Sequence, residues 1–467
     1  MKISFHGAAR TVTGSKHLLH IHPNKNVLLD CGMFQGLGKQ TIELNEDLGF
    51  DATIIDYVIL SHAHIDHIGL LPKLVKEGFE GKIYCTEATA ALAEILLKDS
   101  ANIQESDVRF ANKVKQTKGS PPVKPLYGLD DVGNTLKMLS IVQYDEWIKI
   151  DDQVELFYTD VGHIIGSAAV HLNIKENGKT TRLTFSGDIG RYNDPLLKAP
   201  QPFPQTDILI LESTYGDRLH PLTQSPAELL LQHIKTTCIE KRGKLIIPSF
   251  SVGRTQELLY ALNQLELEHR LPDLLYIVDS PLSVKATTLI KQFPELFNDK
   301  VQKVLKTDDD PFSFKGLVLV EDVETSKSIN YDNRPMVIIS ASGMAEAGRV
   351  KHHIANNISN PNNTILLVGY CEPQSLGGRL KNKPDKVGIF GLDYEVKADI
   401  EEIESFSAHG DYNEMSQWLA CQDPNAIRKV FLVHGEYDVQ ENFKSKLIKK
   451  GFLDVYIPEQ HEIVGLG

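Results

Sequence analysis

Ser61-His62-Ala63-His64-Ile65-Asp66-His67 follows the apolar run Tyr57-Val58-Ile59-Leu60 and precedes the helix-like stretch Leu70-Leu71-Pro72-Lys73-Leu74-Val75. A strand that ends in a tight loop and turns into a helix aims neighbouring side chains in different directions, so one short segment can serve two metal ions. On this reading His62 and His64 share a face and chelate a first ion, while Asp66 and His67, past the turn, point toward a second. Imidazole and carboxylate together suit zinc, and they also accept manganese. The plainer alternative is a chance cluster of core histidines. Ionisable groups buried at this density are costly unless paired or metal-bound, which argues against it.

Working outward, 467 residues are too many for one ordinary core and imply two domains. The apolar and charged fractions, 42% and 24%, are those of a soluble globular chain. No apolar run reaches the length of a membrane span, and Met1 to Gly7 lacks the apolar core of a signal peptide, so a cytoplasmic protein without membrane partners is expected. Cys31, Cys85, Cys238, Cys371 and Cys421 are odd in number, widely spaced and without a Cys-x-x-Cys pair, which indicates neither a disulfide framework nor a thiolate zinc site. A net charge of -13 excludes a protein that coats nucleic acid through a generally basic surface, though not one with a local basic groove. Two stretches run against that balance, Lys113 to Lys124 and Arg379 to Lys386, and read first as solvated loop faces.

Upstream of the histidine cluster, Lys16 to Ile21 and Asn26 to Leu29 read as strands joined by a turn at His22-Pro23-Asn24-Lys25. The second delivers Asp30 to its end. A carboxylate there would orient a ligating imidazole from behind. Gly36, Gly38 and Lys39 suggest a nucleotide loop only superficially, because the spacing fails the phosphate-loop pattern. Downstream, Lys82 to Cys85 reads as a strand and Glu87 to Lys98 as an amphipathic helix. An irregular stretch with Pro121, Pro122 and Pro125 follows, then a helix over Asp130 to Ser140. His163 stands between Gly162 and Gly166 after the strand Val154 to Tyr158, where a loop can bring a third ligand close. Asp188 ends the strand Thr181 to Phe185 at a glycine turn and is placed to bridge two metals.

Asp30, then His62-x-His64-x-Asp66-His67, then His163, then Asp188, in this order, resembles the metallo-β-lactamase superfamily. The resemblance implies an αββα sandwich with a two-zinc site at one edge, and leaves open which ester or amide is hydrolysed. Beyond Asp207 to Leu211 and Glu212-Ser213-Thr214-Tyr215-Gly216 the pattern changes. Strands at Lys244 to Ile247, Leu274 to Val278, Met336 to Ile339 and Thr364 to Val368 alternate with helices, which implies an inserted parallel doubly wound α/β sheet. Its Ser/Gly loops, with Ser249, Gly253 and Arg254 after the first strand and Ser342 and Arg349 after the third, would suit phosphate groups at helix N-termini. Ligand-type signals return at Glu404 to Asp411, which contains His409, and at His434-Gly435-Glu436 after the strand Lys429 to Val433.

Glu212, His409 and His434 around an inserted α/β domain resemble the three motifs of the β-CASP branch, the nucleic-acid-processing nucleases of that superfamily. The likeness covers nearly the whole chain and divides it into residues 1–215 and 399–467 of the zinc domain and 216–398 of the β-CASP domain. A histidine at the third motif, His434, resembles the RNA-processing members. Gly7-Ala8-Ala9-Arg10-Thr11-Val12-Thr13-Gly14-Ser15 and Ser340-Ala341-Ser342-Gly343-Met344 look like the endonuclease subunit of the mRNA 3′-end cleavage factor and its compact bacterial homologues. The resemblance implies two zinc ions per chain, one on His62, His64 and His163, the other on Asp66, His67 and His434, with Asp188 bridging and Asp30 behind. It implies hydrolysis of single-stranded RNA by a zinc-activated hydroxide, with His409 as acid held by Glu212, leaving 5′-phosphate and 3′-hydroxyl ends. Ser249, Gly253, Arg254 and Ser342 would contact RNA phosphates. Endonuclease action is expected, with 5′-exonuclease action left open, and the bacterial homologues imply a homodimer. The rival readings are a small-ester or thioester hydrolase of the same zinc fold and a non-catalytic RNA-binding scaffold.

Overall fold

The computed structural model describes residues 1–38, 40–116, 122–220, 225–369, 371–403 and 406–466, with only the backbone of 110 and 114–116. Lys39, Pro121 and Glu404, named above, lie outside the described residues, as do Lys118, Ser405 and the side chain of Lys115 within the stretches given there. Strands β1 (Lys2–Gly7), β2 (Lys16–Ile21), β3 (Lys25–Leu29), β4 (Tyr57–Ile59), β5 (Lys82–Cys85) and β6 (Leu139–Ile141) lie side by side in chain order. A second sheet takes β7 (Ile148–Lys149), β8 (Val154–Asp160), β9 (Ala168–Glu176), β10 (Lys179–Phe185) and β11 (Ile208–Glu212). Between the two, Phe5, Leu19, Leu29 and Ile59 meet Leu156, Val170, Phe185 and Ile210 in one core. Each such side chain contributes about 1.5–3 kcal/mol by leaving water. Helices cover the outer face of each sheet, so the layers run helix, sheet, sheet, helix.

The third sheet, ordered β14-β13-β15-β12-β16-β19, is parallel at every pairing. Its members are β12 (Lys244–Pro248), β13 (Leu275–Asp279), β14 (Leu317–Val320), β15 (Met336–Ser340) and β16 (Thr364–Leu367). A hairpin of β17 (Lys386–Ile389) and β18 (Leu392–Glu395) precedes the last member, β19 (Asp399–Glu402). The inner strands are buried on both faces, which is why they read as continuous apolar runs. Residues 399–402, read from sequence as the start of the returning segment, instead extend this parallel sheet by pairing with β16. The chain then returns to the sandwich. Strands β20 (Lys429–Val433) and β21 (Val455–Tyr456) join the second sheet beside β11, and β22 (Glu462–Gly465) joins the first beside β1.

The helix expected over Glu87 to Lys98 runs on to Gln116, with no glycine or proline to stop it. Its polar side chains tie down the segment that follows: Asn112 pairs with the backbone of Val123, and Gln104 accepts from the Leu126 N–H. Among the described residues no helix is long and apolar enough to cross a membrane.

The carboxyl ends of the inserted strands face the sandwich. A Cβ on Gly253, in the loop after β12, would lie 3.2 Å from Ile164, the neighbour of His163. Across the same seam, Gly36 lies against Glu372 and Met344 of the inserted domain. The loops of both domains thus enclose the strand ends at one edge of the sandwich.

Candidate metal centre

Strand β4 ends at Ile59, and the chain passes through Ser61 and His62 into a single helical turn, Ile65–Ile68, with His64 before it and His67 inside it. This turn is held from three sides. Ser15 N–H donates to Asp66 O at 2.8 Å, Cys31 N–H to His67 O at 2.8 Å and Met33 N–H to Ile65 O at 3.0 Å. Lys16, buried beneath, donates to Gly14 O and Gly32 O and lies 4.3 Å from the Phe34 ring centroid, with burial pushing its pKa down to about 8.

Two groups of ligand atoms face each other there. In the first, His64 Nδ1 lies 3.1 Å from both His62 Nε2 and His163 Nε2, and Asp188 Oδ2 lies 3.5 and 3.6 Å from those two nitrogens. Ligands about 2.0–2.1 Å from a tetrahedral zinc stand about 3.3–3.4 Å apart, so the spacing fits such an ion. In the second, His434 Nε2 lies 3.4 Å from both His67 Nε2 and Asp66 Oδ2. Asp188 Oδ2 is also 3.3 Å from His67 Nε2, so this one carboxylate touches both groups. Its other oxygen, Oδ1, is buried without a hydrogen-bond partner among the described residues. An orphaned carboxylate oxygen amid imidazoles is costly unless a cation sits beside it.

The protonation states agree with that fit. Burial, reinforced by the neighbouring imidazoles, pushes His62 and His163 well below the usual histidine value and His64 down to about 4, leaving lone pairs free for a metal. Burial opposes the proton on His67 as well, but Asp188, Asp30 and Asp66 outweigh it and lift its pKa well above the usual value. A divalent cation would satisfy the same carboxylates in the proton's place.

Four of the five ligating rings have a partner behind them. His67 Nδ1 donates to Asp30 Oδ2 at 2.7 Å, and Asp30 also accepts from Ser61 N–H and Oγ–H, both at 2.8 Å. Ser61 Oγ lies 3.1 Å from His62 Nδ1, Ala408 O lies 3.3 Å from His163 Nδ1, and Thr214 Oγ1 lies 3.0 Å from His434 Nδ1. Of these partners only Asp30 was legible beforehand. Ser61 and Thr214 sit next to or near a ligand but are ordinary residue types, and a backbone carbonyl such as that of Ala408 leaves no sequence signal.

His409 stands beside both groups, its ring centroid 4.6 Å from that of His163 and 5.7 Å from that of His434. Its Nδ1 lies 3.1 Å from Glu212 Oε1, and Glu212, fully buried at the end of β11, also accepts from the N–H groups of Ile189 and Thr214. Burial alone would lower the His409 pKa; the charge and hydrogen bond of Glu212 outweigh it, aided by Asp188 and Asp66, and raise it to about 9.

The four residues read as phosphate contacts fall elsewhere. Ser249 is buried, its hydroxyl accepting from Thr255 Oγ1 at 3.1 Å. Arg254 is only 5% exposed, pairs with Glu257 and lies 5.5 Å from the Phe406 ring centroid. Ser249 is thus occupied within the inserted domain, and Arg254 lies between that domain and Phe406 of the returning segment. A doubly wound sheet places such polar residues at its carboxyl ends whether a ligand or a neighbouring domain covers them. Arg349 is likewise occupied, donating to Asp279 Oδ1 at 2.6 Å. Gly253 and Ser342 remain half-exposed, the Ser342 hydroxyl lying 3.4 Å from the Ala347 N–H.

A histidine–carboxylate centre at the strand ends of such a sandwich defines a metal-dependent hydrolase. Residues 17–234 match the metallo-beta-lactamase superfamily, residues 255–380 the Beta-Casp domain and residues 393–458 the Zn-dependent metallo-hydrolase RNA specificity domain. The chain is 36% identical to Ribonuclease TTHA0252 of Thermus thermophilus over 93% of both chains. It is 28% identical to an RNase J-like protein of Methanocaldococcus jannaschii over 99% of both, and 28% identical to Integrator complex subunit 11 of Danio rerio over 99% of this chain and 73% of that one. The chain belongs to the metallo-β-lactamase superfamily, in its β-CASP branch of zinc-dependent metallo-hydrolases.

Proposed function

We propose that this protein is a zinc-dependent ribonuclease that cuts single-stranded RNA internally and leaves 5′-phosphate and 3′-hydroxyl ends. The observation that carries the reading is the His409–Glu212 pair beside Asp188 and His434, the two residues it shares with the metal-ligand groups. Hydrolysis of a small ester needs neither the inserted domain nor that pair. His62, His64 and His163 would hold one zinc and Asp66, His67 and His434 a second, with Asp188 shared. When bound, the ions supply a water activated at neutral pH and neutralise charge on the phosphoryl oxygens.

The chain's own residues do the rest. Asp30, Ser61, Ala408 and Thr214 hold the histidine rings in fixed orientation, so the ligands are in place before substrate arrives. Glu212 commits His409 Nδ1 and favours the protonated ring, leaving Nε2–H as the group that gives a proton to the departing 3′-oxygen. The relatives named as ribonucleases, and the match to an RNA specificity domain, support RNA as the polymer.

The test is cleavage of a 5′-end-labelled and an internally labelled single-stranded RNA beside DNA of the same sequence, with the parent protein and His434→Ala. Internal RNA fragments with 5′-phosphate ends, absent in the variant, are expected. Mononucleotides released from the 5′ end would replace the endonuclease by an exonuclease. Thioester turnover with both polymers intact would overturn the reading.

A further inference from the structure

Thr214 touches both halves of the site without facing its centre. Its N–H donates to Glu212 Oε2 at 3.2 Å, and Glu212 through its other oxygen holds His409. Its hydroxyl lies 3.1 Å from the His434 carbonyl oxygen and 3.0 Å from His434 Nδ1. A hydroxyl has one proton and two lone pairs. The carbonyl can only accept, so when it takes that proton Oγ1 accepts from Nδ1 and the ring proton of His434 sits on Nδ1. Nε2 is then left with its lone pair, and it is the atom 3.4 Å from His67 Nε2 and Asp66 Oδ2. The other group facing Nδ1, Asp188 Oδ1, is farther away at 3.5 Å.

His434 needs such a hold. It is a non-glycine residue with φ +53°, a conformation that costs about 1–3 kcal/mol and persists only where its surroundings enforce it. Its N–H donates to Ala8 O at 2.7 Å, and Thr214 takes its carbonyl and its ring together.

We infer that Thr214 is a positioning residue: its hydroxyl selects the His434 tautomer that presents Nε2 to a cation shared with Asp66 and His67, while its N–H steadies the carboxylate that holds His409. The inference rests on the proposed two-cation reading of the site. Through this one residue, the hold on the second cation and on the proton donor are linked.

Thr214→Val keeps the shape and β-branching and removes the hydroxyl; Thr214→Ser restores it. Zinc binding is read by equilibrium dialysis against a graded competing chelator with elemental analysis, on the full chain and without RNA. In the valine variant one of the parent's two ions should weaken about 10–100-fold and the other stay within about threefold, with serine restoring the first. Unchanged affinity at both positions would overturn the inference. Equal loss at both positions, or loss that serine does not repair, would assign Thr214 to the general framework and overturn it as well. A parent protein that binds one zinc or none would instead overturn the two-cation reading, whatever the variants do.

Discussion

At His409 two opposing effects meet, and their sizes decide its role. Burial disfavours the imidazolium, while the fully buried Glu212 carboxylate beside Nδ1 favours it and wins, which places the pKa at about 9. As the proposed proton donor, His409 would work below its pKa, so the alkaline limb of the rate profile would report it. Glu212→Gln keeps the shape and removes the charge, leaving burial less opposed. The alkaline limb of kcat/KM for RNA should therefore move to lower pH by about one to three pH units. An unmoved limb would take the proton-donor role from His409. The same pairing bears on stability in the matching direction. A pKa raised on folding from 6.5 to about 9 contributes stability that is complete below pH 6.5 and lost as pH rises through about 9.

At the scale of elements, the ligand-bearing turn Ile65–Ile68 depends on how closely the segment after β3 can approach it. A Cβ on Gly32 would stand 1.6 Å from Asp66 O, so Gly32→Ala must push the turn away from the strand end. We expect it to destabilise the fold by about 1–3 kcal/mol in urea unfolding and to weaken zinc binding more than it weakens global stability. Zinc affinity equal to the parent's would show that the turn is positioned by its own ligands alone. This dependence also explains what the sequence could disclose. His62 to His67 was legible because four candidate ligands fall on one strand-loop-helix junction, and β2, β12, β15 and β20 because their apolar runs end at turn residues. The edge strand β14 was not, since Leu317-Val318-Leu319-Val320 is only four residues long, and Val318 and Leu319 are exposed in the fold. The long helix to Gln116 was cut short because its later turns pair polar side chains with loop backbone rather than burying an apolar stripe. Ser249 and Arg254 lie in the loop after β12, but their burial and their pairing with Thr255 and Glu257 leave no periodicity to read.

Over the whole molecule, the ligand atoms come from positions 62 to 434, so the centre ties together the two parts of the sandwich that the inserted domain separates. Strand β20 carries His434 beside β11, which ends in Glu212, while the cluster after β4 belongs to the opposite sheet. A cation shared by His67 and His434 therefore cross-links the two sheets at one edge, whereas the inserted parallel sheet has a core of its own. Binding to the folded state alone stabilises it by about 2.7 kcal/mol when the free ion stands at a hundred times its dissociation constant. Chelation should accordingly loosen the molecule unevenly. Amide exchange should quicken at residues 61–68, 163–167, 187–190 and 434–436, the strand-end segments that carry the candidate ligands. It should stay unchanged along β12 and β15, which hydrogen-bond to neighbours on both sides. Hydrogen exchange with mass spectrometry, before and after chelation and again after zinc is restored, reads this directly. Uniform acceleration across both domains would mean that the centre supports the whole fold, and no change at the four loops would mean that protein contacts alone hold the ligands.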